Sequence, residues 1–201
     1  MIGAFEAHVT VAPDDGAGLE RWASARGVKF THILLARGRS VSQPMLTVRT
    51  DGTLAEARAS AARTVAALRA DGLRVLRTKI EASPSTSGVP VADGCVPGYF
   101  EHHVKLVLAP DADQAALVSL VVPHGAHVSR NARRTRPDGR AERFVTQRCH
   151  HVGAVTAGRR LDALTTALLA HGYDLAAVER EYVVFDGDPS LDDGWITEGT
   201  R

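Results

Sequence analysis

A chain of 201 residues that is 44% hydrophobic holds enough apolar material for one medium domain or two small ones sharing a core. A formal net charge of +1 at pH 7 excludes a surface built throughout to hold nucleic acid or an anionic membrane, so any affinity for anions must be local. Two cysteines, Cys95 and Cys149, exclude a disulfide framework, and neither belongs to a CxxC pair.

The opening Met-Ile-Gly-Ala-Phe-Glu has no basic n-region and no apolar h-region. No apolar run approaches the ~20 residues of a membrane span, so a soluble cytoplasmic protein with no membrane partner is expected. Phe5 to Ala12 alternates as a strand does, and Asp14 to Arg26 has helical spacing with Leu19, Trp22 and Ala23 on one side. Phe30 to Ala36 and Met45 to Thr50 read as strands around a connection containing Gly38, Ser40 and Pro44. Thr53 to Ala70 is an alanine-rich helix, capped by Thr53 with Glu56 three residues later and stopped at Gly72. Val75 to Glu81 is the closing strand.

Residues 83–98, rich in Ser, Pro and Gly, then have the composition of a linker. Beyond them the same order returns: strand Phe100 to Ala109, helix Asp113 to Val121, strands His127 to Arg134 and Arg143 to Cys149, helix Ala157 to Ala170, and strand Val178 to Phe185. The return is visible in the residues themselves, because Phe5-Glu6-Ala7-His8-Val9 recurs as Phe100-Glu101-His102-His103-Val104 at an offset of 95. At that offset His32 meets His127, and at an offset of 99 Thr47-Val48-Arg49 meets Thr146-Gln147-Arg148. The predicted organisation is a first repeat over 1–82, a linker over 83–98, a second repeat over 99–187 and a C-terminal tail over 188–201.

A βαββαβ unit with its helices on one face of an antiparallel sheet resembles the ferredoxin-like arrangement. The expected fold is therefore α+β, a tandem duplication of a ferredoxin-like unit, with two antiparallel sheets whose open faces are apposed. Side chains alternate across a strand, so Phe5, Ala7, Val9 and Val11 should pack under the helices while Glu6, His8 and Thr10 face the cleft. The same parity sends Thr47, Arg49, Arg77, Lys79 and Glu81 to the cleft. In the second repeat it sends Glu101, His103, Lys105, His127, Ser129, Asn131, Thr146, Arg148, Glu179 and Glu181 there. Cys149 and His102 turn to the opposite side.

So many ionisable groups on one face require solvent, mutual pairing, a metal or a ligand. Histidine two residues after glutamate on a strand puts both donors on one side. His8 and His103, with Glu6, Glu81, Glu101 and Glu181, are thus candidate ligands for a divalent ion such as Zn, Fe or Mn. His8, His103, His32 and His127 are the candidate catalytic residues. Arg49 and Arg148, matched between the repeats, would grip a small anionic substrate, carboxylate or phosphate, aided by Lys79, Lys105, Thr47 and Thr146.

A second reading starts from His8-Val9-Thr10-Val11 and His127-Val128-Ser129-Arg130. These resemble the His-x-Thr/Ser-x pair of the two-histidine phosphoesterases, which implies a hydrolase of a cyclic phosphate or related ester with one histidine as base and the other as acid. The duplication instead pairs His8 with His103. A third reading is a non-catalytic sensor of a small ligand. Seven arginines lie between Arg130 and Arg148 around a Pro137-Asp138-Gly139 turn. The sheet lacks aromatic stacking platforms, so nucleic acid is not an expected partner. GxGxxG, GxxxxGK[ST] and GxSxG are all missing, so no nucleotide cofactor is expected. The sequence leaves the oligomeric state open, as it does whether the repeats pair within one chain or between two.

Overall fold

The computed structural model describes residues 1–94, 97–132 and 136–196. Cys95 and the end of the strand expected to reach Arg134 lie outside the described residues. The first half runs β1 (Ile2–Val11), α1 (Gly16–Arg26), β2 (Lys29–Leu35), β3 (Ser42–Thr53), α2 (Leu54–Ala70) and β4 (Val75–Ala82). The second runs β5 (Tyr99–Leu108), α3 (Gln114–Val121), β6 (Ala126–Asn131), β7 (Ala141–His150), α4 (Ala154–Ala170) and β8 (Asp174–Asp186). α2 starts where the sequence signals it: Thr53 Oγ1 accepts from the Glu56 amide while Glu56 reaches back to the Thr53 amide, a reciprocal cap. No helix among the described residues is long and apolar enough to cross a membrane.

The eight strands form one antiparallel sheet closed into a barrel in the order β1-β3-β2-β6-β7-β5-β8-β4. This differs from two sheets laid face to face. Each half taken alone would end in two strands with one free edge, β2 and β4 in the first and β6 and β8 in the second. They are satisfied by joining edge to edge with the other half, β2 to β6 and β4 to β8. The polar faces then line an interior space, where buried ionisable groups offset the cost of burial by pairing with one another.

The helices lie outside the ring and the apolar strand faces pack against them as alternation predicts. Leu19, Ala23 and Leu68 gather on Val9, Val11 and Leu46, while Leu117, Val121, Leu161, Leu164 and Leu168 gather on Val104, Leu106 and Val145. A third cluster mixes the halves: Phe5, Ala57 and Ile80 share it with Phe100, Cys149, Ala157 and Tyr182. The segment read as a linker is also packed. Val89 enters that shared cluster, and the Asp93 carboxylate accepts from the Gly153 amide (2.8 Å) and Thr156 Oγ1 (2.9 Å) at the start of α4.

Candidate functional site in the barrel interior

The barrel encloses a cavity of about 360 Å³. One wall is ionisable: Glu6 and His8 of β1, Arg77, Lys79 and Glu81 of β4, Glu101, His103 and Lys105 of β5, and Glu179 and Glu181 of β8. Across the ring the lining is mixed, Ile33 and Leu35 of β2, Met45 of β3 and Phe144 of β7 standing among Lys29, Thr31, Thr47, Ser129, Thr146 and Arg148.

The two repeated histidines are held in the same way. His8 Nδ1 lies 3.1 Å from Thr47 Oγ1, and its Nε2 lies 2.7 Å from Glu81 Oε2. His103 Nδ1 lies 3.0 Å from Thr146 Oγ1, and its Nε2 lies 3.3 Å from both Glu101 and Glu181. Strand register explains the match. His8 sits opposite Thr47 and Lys79, Glu6 opposite Arg49 and Glu81; His103 sits opposite Thr146 and Glu179, Glu101 opposite Arg148 and Glu181. Each half thus builds a Thr–His–Glu chain, hydroxyl, imidazole and carboxylate in hydrogen-bond contact, on the same cavity.

The chains meet in a buried cluster. Lys79 Nζ lies 2.6 Å from Glu81 Oε1 and contacts Glu101, and Arg148 pairs with Glu101 from the other side. Burial works against charge on Glu81, but Lys79 and His8 outweigh it and hold its carboxyl well below the usual range. Glu101 is depressed likewise, Arg148 and Lys79 overcoming its burial. Burial also opposes charge on His103, yet its hydrogen bonds to Glu101 and Glu181 push its pKa up to about 10, so it is an imidazolium at neutral pH. Glu181 moves the other way, raised by burial and by the neighbouring Glu81 carboxylate. One atom each of Glu81, Glu101 and His103 lies within 4.8 Å of the others, a spacing at which a metal ion could be held.

The other expected residues are placed differently from one another. Arg49 is on the exposed rim, 72% accessible, paired with Glu6 at 2.8 Å, and is not part of the cavity lining. Its counterpart Arg148 is buried, with both ends on protein carboxylates, Glu101 and Asp192. Lys105 pairs with Glu142 at 2.9 Å. His32 and His127 are not equivalent: Lys29 faces Thr47 as His127 faces Thr146, so Lys29 is the true counterpart of His127. The constant offset of 95 hides a three-residue slip by β2 and β6. His32 consequently turns away from the barrel, with Nε2 2.8 Å from Ser42 Oγ. His127 is buried beside Trp195, ring centroids 6.1 Å apart, with no hydrogen-bond partner for Nε2. Burial, then Arg37 and Arg148, lower its pKa to about 4.

Several members were missed. Tyr99 has the parity of Glu101 and donates from its hydroxyl to Asp186 (2.8 Å), so alternation could have found it. Asp192, Trp195 and Gln43 lack such a signal. Gln43 lies before the strand as predicted from sequence, and the other two lie in the segment read as a tail.

No family model matches the sequence, and no curated protein matches it. Among solved structures the chain is similar to the small subunit of acetolactate synthase from Thermotoga maritima, at 12% identity and a TM-score of 0.27 over 92% of this chain and 96% of that one. It is also similar to a protein provisionally designated a monooxygenase from Fusobacterium nucleatum, at 10% identity and a TM-score of 0.34 over 94% of this chain and 95% of that one. Neither likeness bears on the chemistry of the cavity.

Proposed function

We propose that the chain is a small-molecule enzyme that transfers protons inside the barrel, and that the barrel is a duplicated ferredoxin-like unit. The duplicated Thr–His–Glu chain facing one cavity carries this reading. His8 donates from Nε2 to Glu81 and accepts at Nδ1 from the Thr47 hydroxyl, so Thr47 relays a proton from substrate to His8. His103, already charged, stabilises or protonates an oxygen on which negative charge develops. The apolar side chains of Ile33, Met45 and Phe144 hold the rest of the substrate. The test is depletion of a compound from a mixture of small carboxylic and phosphorylated metabolites, followed by NMR in D₂O. His8→Gln and His103→Gln should each slow turnover by about 10²–10⁴-fold. Turnover unchanged in both variants overturns the proposal, and ligand-dependent thermal stabilisation without turnover in the unaltered protein points instead to a sensor.

A divalent-metal reading is favoured by the spacing of Glu81, Glu101 and His103. His103 holds a proton that a cation would release on binding. Against it stands Lys79, whose ammonium already contacts both Glu81 and Glu101. Titration of metal-stripped protein with Zn(II), Mn(II) or Fe(II) decides: stoichiometric binding with proton release, lost in Glu101→Gln, supports the metal, and no binding removes it. The phosphoesterase reading gains nothing from the geometry, because His127 is not among the residues lining the cavity.

A further inference from the structure

After β8 the chain does something that has no counterpart after β4. Residues 188–196 fold back towards the β2–β3 connection, where the Arg39 amide donates to Asp193 O (2.8 Å) and Trp195 Nε1 donates to Val128 O (3.0 Å). Gly38, at φ +112°, lies so close to this segment that an added Cβ would meet Trp195 N at 2.8 Å. From this position Asp192 reaches into the barrel. Its Oδ2 accepts from Arg77 (2.8 Å) and Arg148 (2.6 Å), and its Oδ1 accepts from Gln43 (2.9 Å).

Three buried donors from three different strands therefore converge on one carboxylate that does not belong to the barrel. Arg77 and Arg148 come from β4 and β7 and Gln43 from β3; outside the segment Arg77 is also held by Asp186, Arg148 by Glu101 and Gln43 by Ser40 O, while Gln43 meets Leu191 O within it. Such converging donors are how proteins recognise a carboxylate or phosphate. A second observation points the same way: the His127 Nε2, 96% of the residue being buried, lacks a partner under the Trp195 ring. Buried polar atoms ordinarily find one.

We infer that Asp192 occupies an oxyanion subsite of the barrel, and that residues 188–196 are a lid displaced when the carboxylate or phosphate of a small ligand takes the place of Asp192. The inference rests on the cavity and not on proton transfer. Asp192 competes from within, so the apparent affinity for a ligand falls by the fraction of molecules with the lid shut. Departure of the lid exposes Trp195 and brings His127 within reach of the ligand.

The experiment follows Trp195 fluorescence and acrylamide quenching in the full chain with Trp22→Phe, titrated with inorganic phosphate and, separately, succinate. Sodium chloride at matched ionic strength is the control. Either anion should increase the accessibility of Trp195 with saturation, and the arm that saturates identifies the ligand as phosphate or carboxylate. Asp192→Asn, which removes the competing charge and keeps the shape, should bind about tenfold more tightly. Trp195→Ala, followed by calorimetry because the reporter is lost, should bind more tightly too, since it weakens the lid and leaves the donors intact. No saturable binding beyond chloride in either folded variant overturns the inference, as does an affinity equal to that of the parent. Should Asp192→Asn not fold, Trp195→Ala decides alone. Saturable phosphate or succinate binding by the unaltered protein, with turnover unchanged in both His8→Gln and His103→Gln, would sink the proton-transfer reading and leave this one standing.

Discussion

Lys79→Met removes an ammonium and leaves a side chain of similar length at the centre of the buried cluster. Lys79 is 13% accessible, and its partners Glu81 and Glu101 are 2% and 1% accessible, so the two carboxylates lose their common cation with little water to replace it. Breaking a buried pair from one side costs about 3–5 kcal/mol. Glu81 keeps His8 and Glu101 keeps Arg148, which places the expected loss near the lower figure. For a chain of this size about 3 kcal/mol corresponds to a fall in Tm of roughly 6–12 °C. The sign of the pH dependence is a second check. In the parent the folded carboxyl pKa values of Glu81 and Glu101 are depressed, so their stabilisation is present above the unfolded value of about 4.3 and is lost as pH falls below it. Without Lys79 burial gains weight and raises both carboxyls, so the folded variant takes up protons that the unfolded chain does not. The deficit should shrink as pH is lowered from 7.5 to 5.5. Urea unfolding at both pH values, with unchanged m, measures it. A loss under about 1 kcal/mol at pH 7.5, the range of a solvent-exposed pair, refutes the reasoning. Recovery of stability with added Zn(II) or Mn(II) would favour a cation at Glu81 and Glu101 in place of the ammonium.

His127→Leu should be neutral or stabilising by about 1 kcal/mol at pH 7, because the ring it replaces has an unsatisfied buried nitrogen. The pKa of His127 is lowered to about 4 in the folded state, so its contribution is present above the unfolded value of about 6.5 and fades as pH falls towards 4. The variant's stability profile should be flatter across that window, and a loss of more than about 2 kcal/mol at pH 7 would mean the nitrogen has a partner. Gly98→Ala puts a Cβ onto the carbonyl oxygen of Val183 and against the Tyr182 ring where the chain enters β5. Backbone cannot yield as a flexible side chain does, so denaturant unfolding should show a loss of about 1–3 kcal/mol, and an unchanged midpoint would refute the contact.

Much of this arrangement was legible in the residues. Alternation in Phe5-Glu6-Ala7-His8 gave the direction of every side chain in β1, and the recurrence at residue 100 gave β5 with it, because a period of two survives any global rearrangement. Closure was not legible. Edge-to-edge joining of β2 with β6 and of β4 with β8 is a matter of backbone pairing, which leaves no mark in polarity. The false equivalence of His32 and His127 arose because a count along the chain does not see loop lengths, whereas register opposite Thr47 and Thr146 does. The roles of Arg77 and Arg148 were half visible. Their parity aimed them inward, but the acids that meet them, Asp186 and Asp192, lie at the end of β8 and beyond it, where no periodic pattern points.

A ring of strands has no ends, and that frees the sequence from a burden that open sheets carry. A lone βαββαβ half would present β2 and β4 as bare borders, each a template on which another chain could extend the sheet, and natural proteins guard such borders with prolines, bulges or inward charges. Here the border of each half is covered by the other. β2 can therefore keep the run Ile33-Leu34-Leu35 without a guard, and the inward charges of β4, which on an open border would serve only to keep strangers off, instead face the cavity and knit the two halves together through Asp186, Asp192 and Glu101.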